Sequence, residues 1–291
     1  MNRRHFLSTL AAAATAPAQT NQEIVDIHQH TPYSGRPDDV LVKHQETMGI
    51  GKTIMLPAGA DYGLEAHAGG NDICVAFCKR NPGKYVFFAN EVPYYPQAKQ
   101  VLEKYLDMGA RGIGEQKFFV DVFTAPMFLI CDIAQHYGVP ILLHFQHERY
   151  NVNYDQFGRV LAKYPKVNFI GHAQTFWANI DAKHIQEIHY PKWKVAAGGW
   201  TDRFLGDYPN MYADMSAGSG LNAMQRDEDH ARGFIQRHQD KLVYGSDCSD
   251  YVGQGPKCSG SQQIAEIRKL ASPEIQRKIF SENAKKIIKL G

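Results

Sequence analysis

Two histidines separated by a single residue follow a short apolar segment near the start of the chain. The segment from Glu23 to Ile27 is rich in β-branched residues, which predicts a buried strand. Side chains of a strand alternate between its faces, so His28 and His30 point the same way, roughly 6.5–7 Å apart along the chain, with Asp26 one step deeper. A metal ion is the commonest partner of such an imidazole pair. The alternative is one surface histidine and one hydrogen-bonded core histidine.

Strands and helices alternate along the rest of the chain. Predicted strands cover residues 23–27, 52–57, 85–90, 112–118, 140–145, 167–172, 211–215 and 242–245. Strict alternation with helices predicts a parallel sheet. The glycine-rich phosphate turn expected of a doubly wound sheet does not occur. The chain is therefore predicted to be α/β, with a single (β/α)8 TIM barrel over residues 19–291. Residues 176–209 interrupt the pattern and predict a short helix followed by an irregular crossover.

Polar residues come directly after several of these apolar runs. In a barrel of this type the carboxyl ends of the strands form the site. His144 ends the fifth predicted strand, His172 the sixth, and Asp247 follows the eighth. Glu115 and Lys117 lie two positions apart on the fourth, so both face the same way. Together with the first histidine pair, these residues predict one site at one end of the barrel.

The order of these residues resembles the amidohydrolase superfamily, and within it the amidohydrolase-related group (amidohydrolase 2), which includes lactonases and enzymes like aminocarboxymuconate-semialdehyde decarboxylase. The resemblance runs from Asp26 to the C-terminus. It rests on the stretches Asp26-Ile27-His28-Gln29-His30, Ile170-Gly171-His172, Tyr244-Gly245-Ser246-Asp247 and Phe280-Ser281-Glu282-Asn283-Ala284-Lys285-Lys286-Ile287. These motifs are specific for the superfamily and say little about the substrate.

The resemblance implies a metal-dependent catalytic site. His28, His30 and His144 would bind a divalent ion as neutral imidazoles, with Asp247 as the carboxylate ligand. Asp247 would also take a proton from metal-bound water, whose pKa a metal can lower to about 7. His172 would either bind a second ion or stay unliganded and act as an acid or base.

Glu115 and Lys117 decide between one metal ion and two. In some members of the superfamily a glutamate or a carboxylated lysine on this strand bridges two ions, and either residue could do so here. The alternative is a salt bridge between them at the barrel rim. We expect one tightly held ion, zinc with manganese as the alternative, and Glu115 near it. A site with two ions is also compatible with the sequence.

These assignments predict a metal-dependent hydrolase that acts on a small organic lactone, ester or amide. The main alternative is a carboxy-lyase with the same ligands, in which His172 supplies a proton. Glu115 favours hydrolysis because it offers an extra carboxylate for water activation. A third possibility is a barrel that binds a small ligand without catalysis, and the complete ligand set argues against it.

Other residues are weaker candidates. Arg36 and Arg149 could bind a substrate carboxylate, and His147 lies in a loop past the fifth strand. Three tryptophans in or beside the crossover could line a pocket or pack beneath it: Trp177, Trp193 and Trp200. Six histidines on predicted helices are expected to be solvated: His44, His136, His184, His189, His230 and His238.

The first 18 residues resemble an export signal. Residues 2–7, Asn-Arg-Arg-His-Phe-Leu, form a twin-arginine pattern, residues 9–15 are small and mildly apolar, and Ala16-Pro17-Ala18 is an A-x-A cleavage site. The alternative is a disordered basic N-terminus. The apolar run is too short to span a bilayer. We expect cleavage after Ala18 and a periplasmic or otherwise exported protein.

Charge and cysteine content exclude several other classes. The chain has 291 residues, 44% of them hydrophobic, and a net charge of +2. Removing Arg3 and Arg4 lowers the 32 basic residues to 30, which equals the 30 acidic ones. A neutral chain without a basic block is not expected to bind nucleic acid or anionic membranes, so a small molecule is the expected partner. The oligomeric state stays open. The five cysteines form no framework, although Cys248 and Cys258 could pair in an oxidising compartment.

Overall fold

A computed structural model describes residues 22–59 and 67–290. The predicted export signal at residues 1–18 lies outside the described residues, as does the middle of the predicted 58–70 loop. No helix in the described part of the chain combines the length and the apolar character needed to cross a membrane.

Eight strands alternate with helices. The strands are β1 (Ile24–Gln29), β2 (Ile50–Met55), β3 (Tyr85–Phe87), β4 (Ile113–Gln116), β5 (Ile141–His144), β6 (Phe169–His172), β7 (Met211–Asp214) and β8 (Leu242–Val243). The helices are α1 (Asp38–Thr47), α2 (Asn71–Arg80), α3 (Ala98–Asp107), α4 (Ala125–Tyr137), α5 (Phe157–Lys163), α6 (Ala173–Ala178), α7 (Trp200–Asp207), α8 (Ala217–Gln225), α9 (Glu228–His238), α10 (Ser259–Leu270), α11 (Pro273–Arg277) and α12 (Asn283–Ile288). A π-helical turn at Lys278–Glu282 joins α11 to α12.

All strand pairings are parallel, in two sheets ordered β1-β2-β3 and β4-β5-β6-β7-β8. Backbone contacts join these sheets at both seams. Ala89, just past β3, forms a parallel bridge with Ile113 of β4. On the other side, the Ile27 amide of β1 donates to the Tyr244 carbonyl beyond β8 over 3.1 Å. The predicted (β/α)8 barrel is therefore confirmed.

The barrel brings the carboxyl ends of its strands together. Every residue of β1, β4, β5, β6 and β7 is buried, as expected for parallel strands covered by helices. In the register of β5 and β6, His144 lies directly opposite His172. Polar side chains at these strand ends are thus held in a buried layer at one end of the barrel.

Two helical regions differ from the sequence-based expectation. The sequence pattern of residues 222–237 predicts one helix, but the structure forms two, α8 and α9, because the Asp227 side chain caps α9 by accepting from the His230 amide. The predicted irregular crossover contains α7, which begins at Trp200. The irregular part is confined to residues 179–199.

Candidate metal centre

The paired histidines of β1 direct one nitrogen each towards a common point. His28 Nε2 and His30 Nε2 lie 3.1 Å apart, and both side chains are buried. On the far side of each ring, His28 Nδ1 contacts Asp214 Oδ2 at 2.6 Å, and His30 Nδ1 contacts the Leu56 carbonyl at 2.8 Å. A carbonyl and a carboxylate can only accept, so each Nδ1 carries the proton. Both rings therefore direct Nε2 towards the common point, where a bound cation would take the place of any proton held there.

Two carboxylates lie beside that point. Glu115 Oε2 lies 3.6 Å from both His28 Nε2 and His30 Nε2, and Asp247 Oδ1 lies 3.8 and 3.7 Å from the same atoms. Metal bonds of about 2.0–2.2 Å in a tetrahedral arrangement place ligand atoms roughly 3.3–3.6 Å apart. The distance of each carboxylate from the histidine pair therefore fits a divalent ion, and His28, His30 and Asp247 form one mutually close group of three ligands.

The other two predicted histidines border this group. His144 Nδ1 contacts Glu115 Oε1 at 2.6 Å, so the structure places His144 behind Glu115. His172 Nε2 lies 3.5 Å from Asp247 Oδ2 and 3.8 Å from Glu115 Oε1. With His28 and Glu115, His172 forms a second group of three potential metal ligands.

The two residues of the fourth predicted strand that could bridge metal ions, Glu115 and Lys117, lie in different surroundings. Glu115 is on β4, but Lys117 follows the strand, and its ammonium lies 5.7 Å from the centre of the Tyr150 ring. Of the two alternatives for bridging metal ions, the structure brings Glu115 to the histidine cluster and places Lys117 against an aromatic side chain.

The site carries an excess of negative charge. Burial lowers the pKa of His28, but the carboxylates of Asp247, Asp214 and Glu115 outweigh it and hold that pKa well above its usual value. Burial and the charge of His28 lower the pKa of His30 to about 4. Burial raises the pKa of Glu115 and of Asp247, yet the surrounding imidazoles hold both well below their usual range. Ionised carboxylates at this density favour a bound cation.

Three polar residues of the site were not predicted. Asp214 ends β7 and Ser216 lies two residues beyond it, with the Ser216 hydroxyl 2.9 Å from Asp214 Oδ2 and 3.0 Å from His172 Nδ1. Tyr33, in the loop after β1, donates its hydroxyl to Asp247 Oδ1 over 2.8 Å. A signal for Asp214 exists, since it ends an apolar strand as His144 does. The sequence carries no comparable signal for Tyr33.

Two charged residues near the site have structural roles. Asp26 is fully buried, and it accepts hydrogen bonds from the Ser246 amide and hydroxyl and from Gln45. Arg36 is 1% exposed and donates to the carbonyls of Cys248 and Asp250. Arg36 is therefore engaged by the loop after β8 and is not presented to a substrate carboxylate.

Two of the three tryptophans form hydrogen bonds within the protein, and the third lines a cavity. Trp177 is buried and donates to the Asp214 carbonyl over 2.8 Å, and Trp193 donates to Asp181. Trp200 lines a cavity of about 180 Å³ that begins beside Gln146, which lies 3.4 Å from His144 Nε2. Most of the cavity lining is polar and neutral, with the amides of Gln146, Asn151, Asn153, Asn179 and Gln186. The cavity borders the site at Gln146, and none of His28, His30, Glu115 and Asp247 lines it.

One helical histidine predicted to be solvated is fully buried. His44 of α1 has no exposed surface, so that prediction is wrong for it. His238 is also buried, against Asp202, so the same prediction is wrong for it too.

Comparison with known proteins places this site in a family. The amidohydrolase family model matches residues 25–290. The chain belongs to the amidohydrolase family. That match spans the whole barrel and every strand-end residue described above, and it agrees with the resemblance seen in the sequence. No curated protein is similar enough in sequence to match the chain.

Solved structures of amidohydrolase-type barrels have the same fold. An uncharacterized TIM-barrel protein from Bordetella bronchiseptica has a TM-score of 0.66 at 14% identity, covering 92% of this chain and 98% of that one. A probable 2-pyrone-4,6-dicarboxylic acid hydrolase from Acinetobacter baumannii has a TM-score of 0.63 at 12% identity, covering 92% and 100%. A 2,6-dihydroxybenzoate decarboxylase from Rhizobium has a TM-score of 0.57 at 14% identity, covering 92% and 99%. At these identities the likeness concerns the fold.

Proposed function

We propose that this amidohydrolase-family chain is a metal-dependent hydrolase that adds water to a small lactone, ester or amide. The observation that carries the proposal is the position of Asp247. One of its carboxylate oxygens faces the histidine pair, and the other faces His172. A single side chain can therefore both bind a cation and accept a proton.

The proposed cofactor is one divalent ion held by His28, His30, Glu115 and Asp247. Two imidazoles and two carboxylates suit zinc, with manganese as the alternative. When bound, the ion would polarise a substrate oxygen and make a coordinated water more acidic. A second ion at His28, Glu115 and His172 would require both His28 and Glu115 to be shared between the two ions.

Proton transfer is assigned to Asp247 and His172. The Tyr33 hydroxyl holds Asp247 Oδ1, which leaves Oδ2 to accept the proton of the attacking water. His172 Nε2, 3.5 Å from that oxygen, would receive this proton from Asp247 and pass it to the leaving oxygen or nitrogen. Ser216 orients His172 through Nδ1, and His144 orients Glu115. These contacts keep the acid and the base on the same side of the cluster.

A carboxy-lyase is the second candidate, because the buried His172 could also protonate a carbanion. One observation favours hydrolysis over it. Glu115 adds a second carboxylate beside the histidine pair, and a hydrolase can use it to hold the cation that activates water.

The test is turnover of a substrate panel by zinc-loaded and manganese-loaded protein. We expect acid release from at least one lactone, ester or amide, with oxygen from labelled water in the product. Asp247→Asn should lower the rate by about 10²–10⁴-fold. Asp132→Asn, the same change on the exposed face of α4, should not. Carbon dioxide release from aromatic carboxylic acids, with no turnover of lactones, esters or amides, would establish the lyase instead. Binding without any turnover would reject both enzymes.

A further inference from the structure

A separate group of buried metal-ligating side chains lies outside the candidate metal centre and shares no residue with it. His44 extends from α1, Cys248 lies in the loop after β8, and Cys258 is the N-cap residue of α10. Their exposed fractions are 0%, 3% and 0%. Three separate elements thus converge on one buried cluster, which we name the His-Cys-Cys cluster.

The donor atoms of this cluster have the spacing of metal ligands. Cys258 Sγ lies 3.6 Å from Cys248 Sγ and 3.6 Å from His44 Nε2, and all three donors lie within 4.8 Å of one another. Zinc bonds of about 2.3 Å to sulfur and 2.0–2.1 Å to nitrogen place tetrahedral ligands roughly 3.5–3.8 Å apart. Both cysteines are free thiols, so the two sulfurs are not bonded to each other.

His44 also lacks a strong hydrogen bond. Its Nδ1 has no partner among the described residues, and its Nε2 contacts Cys258 Sγ at 3.6 Å and Asp250 Oδ2 at 3.9 Å. Burying an imidazole without such a bond is costly, and a bond from Nε2 to a metal would offset that cost. Met48 adds a further sulfur, with its Sδ 3.7 Å from Cys258 Sγ.

We propose that His44, Cys248 and Cys258 bind a structural zinc ion, with Met48 or Asp250 nearest its fourth position. Two thiolates and an imidazole supply three of the four protein ligands of a structural zinc site, and Met48 and Asp250 are the side chains at hand for the fourth. The ion would link α1 and α10 to the loop after β8, in which Cys248 directly follows Asp247. It would therefore hold in place the loop that carries the proposed catalytic carboxylate.

Cobalt substitution distinguishes this site from the candidate metal centre. Absorption in the near ultraviolet from thiolate-to-cobalt charge transfer requires a sulfur ligand, and the candidate metal centre has none. We expect the full-length, reduced protein loaded with Co²⁺ to show this absorption. It should be lost in Cys258→Ser and in His44→Gln. It should persist in Cys78→Ser, a half-buried cysteine of α2 outside the cluster.

Zinc content gives an independent measurement. Cys258→Ser should lose about one ion per chain relative to wild type, whereas Cys78→Ser should lose none. The double variant His28→Ala, His30→Ala should lose its other ion and keep the charge-transfer absorption. Charge-transfer absorption in a protein without catalytic activity would support the zinc site at the His-Cys-Cys cluster and reject only the proposed hydrolase.

The wild-type spectrum decides the question even if a cluster variant folds poorly. Absence of charge-transfer absorption in reduced, cobalt-loaded wild type would overturn the proposal. It would also be overturned if protein isolated without reductant held a disulfide between Cys248 and Cys258, with both thiols protected from alkylation and no zinc at the cluster.

Discussion

Asp214 is predicted to set the metal affinity of the candidate centre without binding the ion. Its Oδ2 lies 2.6 Å from His28 Nδ1, and it has no exposed surface. A hydrogen bond to a charged group contributes about 1.5–3 kcal/mol. Loss of such a partner behind a metal-bound histidine typically lowers affinity by about 10–100-fold, or roughly 1.4–2.7 kcal/mol. Both estimates predict that Asp214→Asn weakens zinc binding by about 10–100-fold.

The variant keeps the shape of the side chain and removes its charge. An asparagine can turn either its amide group or its carbonyl oxygen towards His28 Nδ1, so the proton on that nitrogen is no longer enforced. Ser216→Ala should have a smaller effect, because it removes only the hydroxyl that bonds Asp214 and His172. The expected order of zinc affinity is wild type, then Ser216→Ala, then Asp214→Asn.

The assay is competition for zinc between the protein and a chromophoric chelator at fixed pH. Asp132→Asn on α4 is the control, since it makes the same chemical change on an exposed surface. Thermal unfolding should show that each variant is folded. Wild-type zinc affinity in a folded Asp214→Asn would refute the reasoning, because His28 would then be oriented by something other than this carboxylate.

Three further predictions concern the ligands, export and acid stability. Replacing both His28 and His30 with alanine should abolish metal binding at this centre and activity together; an unchanged metal content by atomic emission would contradict the ligand assignment. We propose export through the twin-arginine signal, so the N-terminal sequence of periplasmic protein should start directly after Ala18; a chain still carrying its first residue would exclude cleavage. Burial raises the pKa of Asp202, but the hydrogen bond with His238 at 2.6 Å, the hydrogen bonds from Arg237 and the charges of both residues together outweigh it and lower that pKa from 3.8 to about 2. Its stabilisation of roughly 1 kcal/mol, present above pH 3.8, is therefore lost as the pH falls towards 2. Asp202→Asn should destabilise the protein at about pH 5 and have little effect at about pH 2 in thermal unfolding; an equal effect at both would contradict this linkage.

The barrel and most of the site residues were predictable because, in a parallel barrel, the place of a residue at the end of a strand determines where it lies in the fold. An apolar run that ends in a polar residue places that residue at the carboxyl end of a strand, and all such ends meet. His28, His172 and Asp247 needed no further information. Asp214 carries the same signal at the end of β7. It lies outside the motifs that resemble the family, so the sequence alone does not mark it as a site residue.

Ring orientation was not predictable. A histidine at a strand end can turn either nitrogen towards the centre, and its choice depends on neighbours distant in sequence. His144 Nδ1 is held by Glu115, while His28 Nδ1 is held by Asp214. The sequence predicts that the imidazole rings of His28, His30 and His144 share a site. It does not predict that His28 presents Nε2 to the metal and that His144 instead contacts a carboxylate.

The error at His44 shows which further signal the sequence contained. His44 lies three residues after Leu41 and four before Met48, a spacing that places all three on one face of α1. Leu41 and Met48 are apolar and buried, so a polar residue between them belongs to the buried face and needs a partner there. The same reasoning that selected the histidines of β1 therefore applies to a helix. A titratable side chain at a position where the periodicity requires an apolar one indicates a buried contact, and the structure supplies that contact in Cys248 and Cys258.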